Sequence, residues 1–157
     1  MATARLTEII AAPPEVVFDV LTDHRGYADI TPLRAVDMEC EGRPEPNGVG
    51  AVRVIYVLGR RFPAVREQVT EYRAPTRFAY RIASGLPGDI HGEVELSAVQ
   101  GGTRMEYRHT IVPPIPLPGP LVRAGSRLVI GFLVRGVARE SQRRVAGRRP
   151  GGTETDA

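Results

Sequence analysis

The feature that most constrains the fold is a pair of prolines, Pro13 and Pro14, between a strand-like apolar segment and a helix-like apolar segment. Proline has a fixed φ and no backbone N–H donor, so it fits the first turn of a helix, where amide groups have no intrahelical partner. Apolar residues then recur with helical spacing over residues 16–21, and polar residues with a glycine follow at 23–26. The sequence therefore predicts a short helix whose broad apolar face is covered by other parts of the chain.

After this helix, apolar and polar residues alternate in segments separated by turns rich in glycine and proline. Such alternation is typical of strands joined as hairpins, which form an antiparallel sheet with one solvent-exposed face. Because the strands are too many for a flat sheet over one helix, a curved sheet is expected. The predicted strands cover residues 3–11, 33–41, 49–59, 61–73, 77–84, 89–99 and 103–112.

The C-terminal part begins with a proline-rich segment at 113–120, which predicts a stiff connector that could serve as a lid. A helix is predicted over residues 121–145, and a disordered tail over 147–157 follows a single domain of residues 1–146. The glycines of this helix are interpreted as making room for a ligand or a close strand. Its predicted buried face consists of Val122, Ser126, Val129, Leu133 and Val137, with Ile130 beside them and Leu128 and Phe132 on the flank.

The order of these pieces resembles the START/Bet v 1-like (SRPBCC) superfamily, of the polyketide cyclase/dehydrase-like kind. The matching pieces are Ala-Pro-Pro-Glu-Val-Val-Phe at 12–18, Leu-Thr-Asp at 21–23, Gly-Val-Gly at 48–50, Glu-Gln-Val at 67–69, Ala74-Pro75 and the long C-terminal helix. The resemblance implies an α+β helix-grip fold, in which a curved antiparallel sheet of six to seven strands wraps around the C-terminal helix, with short helices after the first strand. It also implies a cavity between sheet and helix, in which members bind lipophilic molecules and in some cases catalyse a reaction.

Composition excludes several other classes of protein. Cys40 is the one cysteine, which excludes a disulfide framework and a cysteine-based zinc cluster, and it is expected to be buried. With three histidines and no phosphate-binding glycine motif, no metal and no cofactor are expected. No apolar run approaches the length of a membrane span and no secretory signal is recognised, so a cytoplasmic location is expected.

The basic residues are unevenly distributed along the chain. All 21 are arginines, and eight of them lie in residues 121–157 beside three acidic residues. A solvated outer helix face is the favoured interpretation, although an arginine stripe can also meet phosphate or anionic lipid. No nucleic-acid-binding motif accompanies the arginines, so no nucleic-acid partner is expected. A monomer and a homodimer both stay open.

Strand alternation predicts which side chains face the cavity. Glu67 lies in phase with Val65 and Val69, and His109 lies in phase with Met105. A buried carboxylate is costly unless it is paired, and burial or a charged neighbour can tune its pKa for proton transfer. Glu67 and His109 are therefore the predicted catalytic candidates. The predicted ligand-binding residues are Glu8, Tyr27, Val36, Met38, Val54, Tyr56, Phe78, Tyr80, Met105, Tyr107, Leu128 and Phe132.

Three functions are open on the sequence alone. The first is binding of a small lipophilic molecule, polyketide-, lipid- or aromatic-like, whose polar end the tyrosines and His109 orient. The second, which the resemblance permits, is a polyketide cyclase or aromatase reaction in which His109 or Glu67 moves a proton during aldol closure and dehydration. The third is a protein of the toxin or quinone-pathway kind that acts through its surface, which a contiguous exposed apolar patch would favour.

Overall fold

A curved antiparallel sheet and a long C-terminal helix packed against its inner face form the frame of the protein in the computed structural model, which describes residues 1–31, 35–56 and 64–147. The helices are α1 (Pro14–Thr22), α2 (Tyr27–Ile30) and α3 (Gly119–Gly147). The strands are β1 (Ala2–Ile10), β2 (Ala35–Cys40), β3 (Val52–Tyr56), β4 (Ala64–Arg73), β5 (Arg77–Ser84), β6 (Asp89–Val99) and β7 (Gly102–Val112). The predicted α+β helix-grip fold is confirmed.

The order of strands in the sheet is β1-β7-β6-β5-β4-β3-β2, so the first strand of the chain lies beside the last. From β2 to β7, each strand pairs with the next one in sequence, as expected for successive hairpins. The described strands agree closely with the predicted ones. The residues outside the described ranges include the start of the predicted strand 33–41, the adjoining ends of the predicted strands 49–59 and 61–73, and all but the first residue of the predicted tail 147–157.

Helix α1 follows the double proline as predicted. Pro14 occupies the first helical turn after Pro13, and Glu15 lies in the same turn, where the positive end of the helix dipole favours a carboxylate. Phe18 packs edge-on against Tyr72 of β4, with the ring centroids 5.0 Å apart. The apolar side that the sequence indicated is buried at Val16, Val17, Phe18, Val20 and Leu21.

The buried side of helix α3 is rotated from the predicted one but shares Ser126, Val137 and the neighbouring Ile130 with it. Its buried residues are Ser126, Ile130, Val134, Gly136, Val137 and Ser141. Val129 is exposed, so the buried side is centred on Ile130 and Val134 instead of Val129 and Leu133. A Cβ at Gly136 would overlap the carbonyl oxygen of Ile30, so this glycine lets α3 lie directly against α2. The glycines of this helix were predicted to make room for a ligand or a close strand. At Gly136 the element that approaches closely is a helix, α2.

Candidate ligand-binding site

A cavity of about 470 Å³ opens between the inner face of the sheet and the first half of α3. Buried polar groups lie at its inner end, and the proline-rich connector before α3 lies at its mouth. The apolar walls include Ile55, Val65, Ile82, Ile90, Ile111, Val122 and Leu133. The polar residues that line the cavity are Tyr27, Arg53, Glu67, Tyr80, His109 and Ser126.

A buried ion pair between Arg53 and Glu67 forms the inner end of the cavity. The two residues lie directly opposite each other on β3 and β4. Arg53 Nε donates to Glu67 Oε1 at 2.7 Å, and Arg53 Nη2 contacts the same oxygen. The two side chains are 4% and 5% exposed. Because arginine is always charged in proteins, the pair is ionic in spite of its burial. Each buried charge is stabilised by the other, so removal of either partner would leave an uncompensated charge.

Aromatic rings surround the guanidinium group of Arg53. Its Cζ atom lies 4.4 Å from the ring centroid of Tyr27 and 5.9 Å from that of Tyr80, which are distances for cation–π attraction. The Tyr80 and Tyr107 hydroxyl groups share a hydrogen bond of 2.6 Å. The cation is therefore held in a buried position by a carboxylate and by aromatic faces.

His24 holds a further nitrogen of Arg53. Arg53 Nη1 donates to His24 Nδ1 at 3.0 Å, so Nδ1 carries no proton, and His24 Nε2–H donates to the carbonyl oxygen of Asn47 at 3.1 Å. Burial, followed by the positive charge of Arg53, lowers the pKa of His24 to about 3. His24 therefore stays neutral at pH 7 and positions Arg53 without adding a second charge.

His109 reaches the cavity from β7, across from α3. Its Nδ1 atom lies 3.3 Å from Ser126 Oγ in a hydrogen bond that joins the sheet to the helix. Burial lowers the pKa of His109, so the imidazole is neutral at pH 7. A neutral imidazole has one N–H donor and one acceptor nitrogen, so His109 can form a hydrogen bond to a ligand or accept a proton from it.

The remaining titratable groups at the inner end carry no net charge at pH 7. Burial raises the pKa of Glu67, and Arg53 limits the rise. Burial by itself would lower the pKa of Arg53, but the attraction of Glu67 outweighs this effect and the pKa is raised. Burial also raises the pKa values of Tyr27 and Tyr80, so both phenols keep their protons. The site therefore presents hydrogen-bonding groups around an internally neutralised ion pair.

The structure brings Tyr27, Glu67, Tyr80 and His109 together around the cavity, so these predicted site residues share one space. Other predicted ligand-binding residues pack into the hydrophobic core: Val36, Met38, Phe78, Met105 and Tyr107. Tyr107 still contributes to the site because its hydroxyl group is the hydrogen-bond partner of Tyr80.

Three predicted ligand-binding residues are exposed and do not line the cavity. Glu8 lies opposite buried Met105, but β1 is an edge strand of the sheet and the Glu8 side chain reaches solvent. The predicted place of Leu128 and Phe132 in the cavity wall is wrong for a different reason. The side of α3 that carries these two residues points away from the core. Cys40 is also exposed, contrary to the expected buried thiol, because the register of β2 shifts between Met38 and Cys40.

The predicted inward orientation of Val54 and Tyr56 is wrong as well. Arg53 and Ile55 take the inward side of β3, and Val54 lies opposite Arg66, whose side chain is exposed. This strand is apolar at most positions, so alternation does not define its inner side. A signal for Arg53 did exist in β4, because a buried Glu67 requires a cation, and Arg53 is the residue of β3 that lies opposite it.

Sequence reasoning also missed His24 and the role of Ser126. Ser126 was predicted on the buried side of the helix, but its polar contact with His109 depends on how α3 crosses β7. The sequence carried no signal for His24, because its partners Arg53 and Asn47 come from distant segments. Within the described ranges, no three His, Cys, Asp or Glu side chains are placed to hold a metal ion. None of the described helices is long and apolar enough to span a membrane.

Comparison with known proteins agrees with this architecture. The family described as "Polyketide cyclase / dehydrase and lipid transport" matches residues 1–148 of the chain. The chain belongs to this family. Because the family description covers both polyketide chemistry and lipid transport, membership alone does not choose between catalysis and binding. A comparison with curated proteins gives no match.

Solved structures with the same fold include a START superfamily protein and an aromatase/cyclase. A START superfamily protein from Mycobacterium smegmatis has a TM-score of 0.77 at 11% identity, with 91% of this chain and 99% of that chain covered. The Zhui aromatase/cyclase from Streptomyces sp. R1128 has a TM-score of 0.73 at 23% identity, with 96% and 98% covered. Ara h 8.0201 has a TM-score of 0.70 at 16% identity, with 89% and 97% covered. At these identities the likeness establishes the fold of this family member.

Proposed function

We propose that the protein binds a small lipophilic molecule in the cavity between the sheet and α3. The observation that carries the proposal is the combination of apolar walls with a buried polar cluster at the inner end of the same cavity. A volume of about 470 Å³ lies in the ordinary range for small-molecule sites. The family description, which names polyketide chemistry and lipid transport, supports a ligand of this class.

The polar end of the ligand is proposed to be an uncharged group, such as a phenol, a hydroxyl or a ketone. Arg53 and Glu67 neutralise each other, and His109 is neutral at pH 7 because burial lowers its pKa. Arg53 already uses Nε, Nη1 and Nη2 on protein partners. A charged ligand would therefore lose its hydration without gaining an unpaired counterion, whereas a neutral polar group can use the tyrosines and His109.

The first experiment is organic extraction of the purified protein and mass spectrometry of the extract, beside a similarly expressed control protein. The expected result is a specific lipophile near one equivalent per chain. Titration with 2-naphthol and 2-naphthoate then tests the polar end, and 2-naphthol is expected to bind more tightly at pH 7. Equal binding of the two probes, or tighter binding of the carboxylate, would overturn the uncharged class.

Two glycines of α3 provide a matched pair of variants for locating the bound molecule. A Cβ at Gly125 or at Gly131 would meet no atom within 4 Å, but only Gly125 is among the residues found to line the cavity. Gly125→Phe is expected to abolish retention of the lipophile, because the added ring occupies the cavity mouth, while Gly131→Phe retains it. If both variants retained the lipophile equally, the ligand would lie outside this cavity.

A polyketide cyclase or dehydrase reaction is the second candidate, and the position of His109 favours it. His109 is neutral, faces the cavity and is oriented by Ser126, whereas Glu67 is engaged by Arg53. In this candidate, His109 takes a proton from the carbon between two ketones, and the resulting enolate forms a C–C bond to another carbonyl carbon of the chain. The alkoxide oxygen takes the proton back, and loss of water completes the dehydration.

The enzyme candidate is tested with a synthetic aryl poly-β-ketone and chromatographic analysis of the products. His109→Gln is expected to retain binding of the poly-β-ketone and to lose the pH-dependent part of the cyclisation rate. Glu67→Gln tests the alternative base, and its effect is expected to appear in stability more than in rate. Cyclisation by His109→Gln at the rate of the unchanged protein would remove His109 from the mechanism.

A further inference from the structure

The outer side of α3 carries exposed apolar side chains where a solvated helix would carry polar ones. Leu121, Leu128, Val129 and Phe132 are exposed by 65%, 62%, 53% and 44%. Their spacings of three, four, seven and eight residues place them in one stripe, opposite the buried side of the helix. We call these four residues the α3 outer patch. Large apolar patches of this kind mark interaction surfaces.

The α3 outer patch is continuous with the mouth of the cavity. Leu121 and Val129 belong to the patch and also line the cavity. Leu86, on the turn between β5 and β6, and Leu117, on the connector before α3, are likewise both exposed and in the cavity wall. A surface that covered the patch would therefore also cover the entrance through which a lipophile must pass.

The charges beside the patch are of one sign. Between Glu106 and Glu140 the sequence contains five arginines and no acidic residue. Two of these arginines, Arg135 and Arg139, lie on the patch side of α3, each seven residues after a patch residue, and both are exposed. The next acidic residue, Glu140, is already engaged by Arg143 and Arg144. The helix thus combines exposed leucine and phenylalanine side chains with uncompensated cationic ones.

We propose that the α3 outer patch and the cavity rim dock onto the surface of an anionic lipid bilayer. The apolar side chains enter the boundary between headgroups and acyl chains, and the arginines contact the lipid phosphates. The docked protein then exchanges its lipophile directly between the bilayer and the cavity. The exchange of lipophile rests on the proposed ligand-binding function, whereas the docking rests on the exposed residues alone.

The same positive charges disfavour binding of a second copy of the chain to the α3 outer patch. A twofold pairing of α3 outer sides would bring the arginines of both copies together without acidic partners on the facing surfaces, which opposes association. An anionic bilayer provides the complementary charge, and each arginine near such a surface contributes about fivefold to binding. A bilayer can also cover the whole apolar surface around the cavity mouth, and its interior is apolar like the cavity walls.

The test is co-sedimentation of the full chain with phosphatidylcholine vesicles, prepared with and without phosphatidylserine. The expected result is binding that requires phosphatidylserine and weakens as salt is raised. Leu128→Gln/Phe132→Gln is expected to lower vesicle affinity by about tenfold or more, because two apolar side chains no longer leave water. Arg135→Gln/Arg139→Gln is expected to lower it by about fivefold for each arginine removed. Neither pair of residues lines the cavity, so retention of the extracted lipophile should not change.

Ile9→Gln is the matched control, since Ile9 is an exposed apolar residue on β1. It is expected to bind vesicles as the unchanged protein does. Absence of binding to phosphatidylserine vesicles, or equal loss in the control variant, would overturn the docking. Light scattering that shows a dimer which Leu128→Gln/Phe132→Gln converts to a monomer, without vesicle binding, would assign the patch to a second copy. Vesicle binding by a protein that retains no lipophile would leave the docking intact and contradict the proposed function.

Discussion

Gly92 lies directly opposite Tyr80 across β6 and β5, and the Tyr80 ring occupies the space that a side chain at residue 92 would need. The ring lies over the strand at this point, and its hydroxyl group reaches the Tyr107 hydroxyl at 2.6 Å. Tyr80 also faces the guanidinium of Arg53. A missing side chain in one strand therefore helps to place an aromatic residue of the cavity.

Gly92→Ala is expected to displace the Tyr80 ring and to lower the free energy of unfolding by about 1–3 kcal/mol, as other overpacking changes do. Gly125→Ala is the control, because a Cβ there meets open space within a helix and alanine favours the helix by about 1 kcal/mol. Urea unfolding of both variants checks the prediction. A Gly92→Ala protein as stable as the unchanged one would contradict the packing described for Tyr80.

Gly136→Ala tests the contact between α3 and α2. Because the added Cβ would overlap the carbonyl oxygen of Ile30, the two helices must separate, and a loss of about 1–3 kcal/mol is expected. Gly131→Ala, in the same helix and with open space at its Cβ, should be neutral or stabilising. Thermal unfolding of the two variants distinguishes a helix-propensity effect, which both share, from the helix–helix contact.

Arg53→Met removes one partner of the buried ion pair and leaves the Glu67 carboxylate without a cation. The expected loss is about 3–5 kcal/mol, because an uncompensated buried charge is strongly unfavourable. The double variant Arg53→Met/Glu67→Leu is expected to recover much of this loss. Arg66→Gln breaks the exposed Arg66–Glu39 pair, with side chains 45% and 46% exposed, and should change stability by less than about 1 kcal/mol. A double variant as unstable as Arg53→Met would mean that packing of the arginine matters more than the charge pair.

His24 gives stability a defined dependence on pH. Its folded-state pKa is lowered to about 3 by burial and by Arg53, so between pH 6.5 and 3 the unfolded chain binds a proton that the folded protein does not. Stability is therefore lost as the pH falls through this window, by at most about 1.4 kcal/mol per pH unit from this group. His24→Gln should show a shallower fall between pH 6.5 and 4 in urea unfolding. A fall as steep as that of the unchanged protein would contradict the role given to His24.

Features of the structure that local sequence periodicity determines could be predicted, whereas features that depend on contacts between distant segments could not. The double proline and the alternation in β6 and β7 define α1 and the inward position of His109, because local periodicity determines which side is buried. Arg53 escaped detection because the residues around it are apolar on both sides of β3, and the reason for its burial is the Glu67 carboxylate on another strand. The buried side of α3 was only partly predicted, because apolar residues such as Leu128 and Phe132 also occupy its outer surface and hydrophobic periodicity then does not define one side.

The pairing of β1 with β7 has a consequence for the synthesis of the protein. Ala2 lies opposite Ile111, and Ile10 lies opposite Thr103, so the first strand finds its neighbour only after about a hundred residues have been added. Until β7 has emerged from the ribosome, β1 has no strand to pair with, and the floor of the cavity is incomplete. The pairing of β1 with β7 is therefore a long-range contact, which favours slow folding and leaves the N-terminal strand without a partner during much of translation.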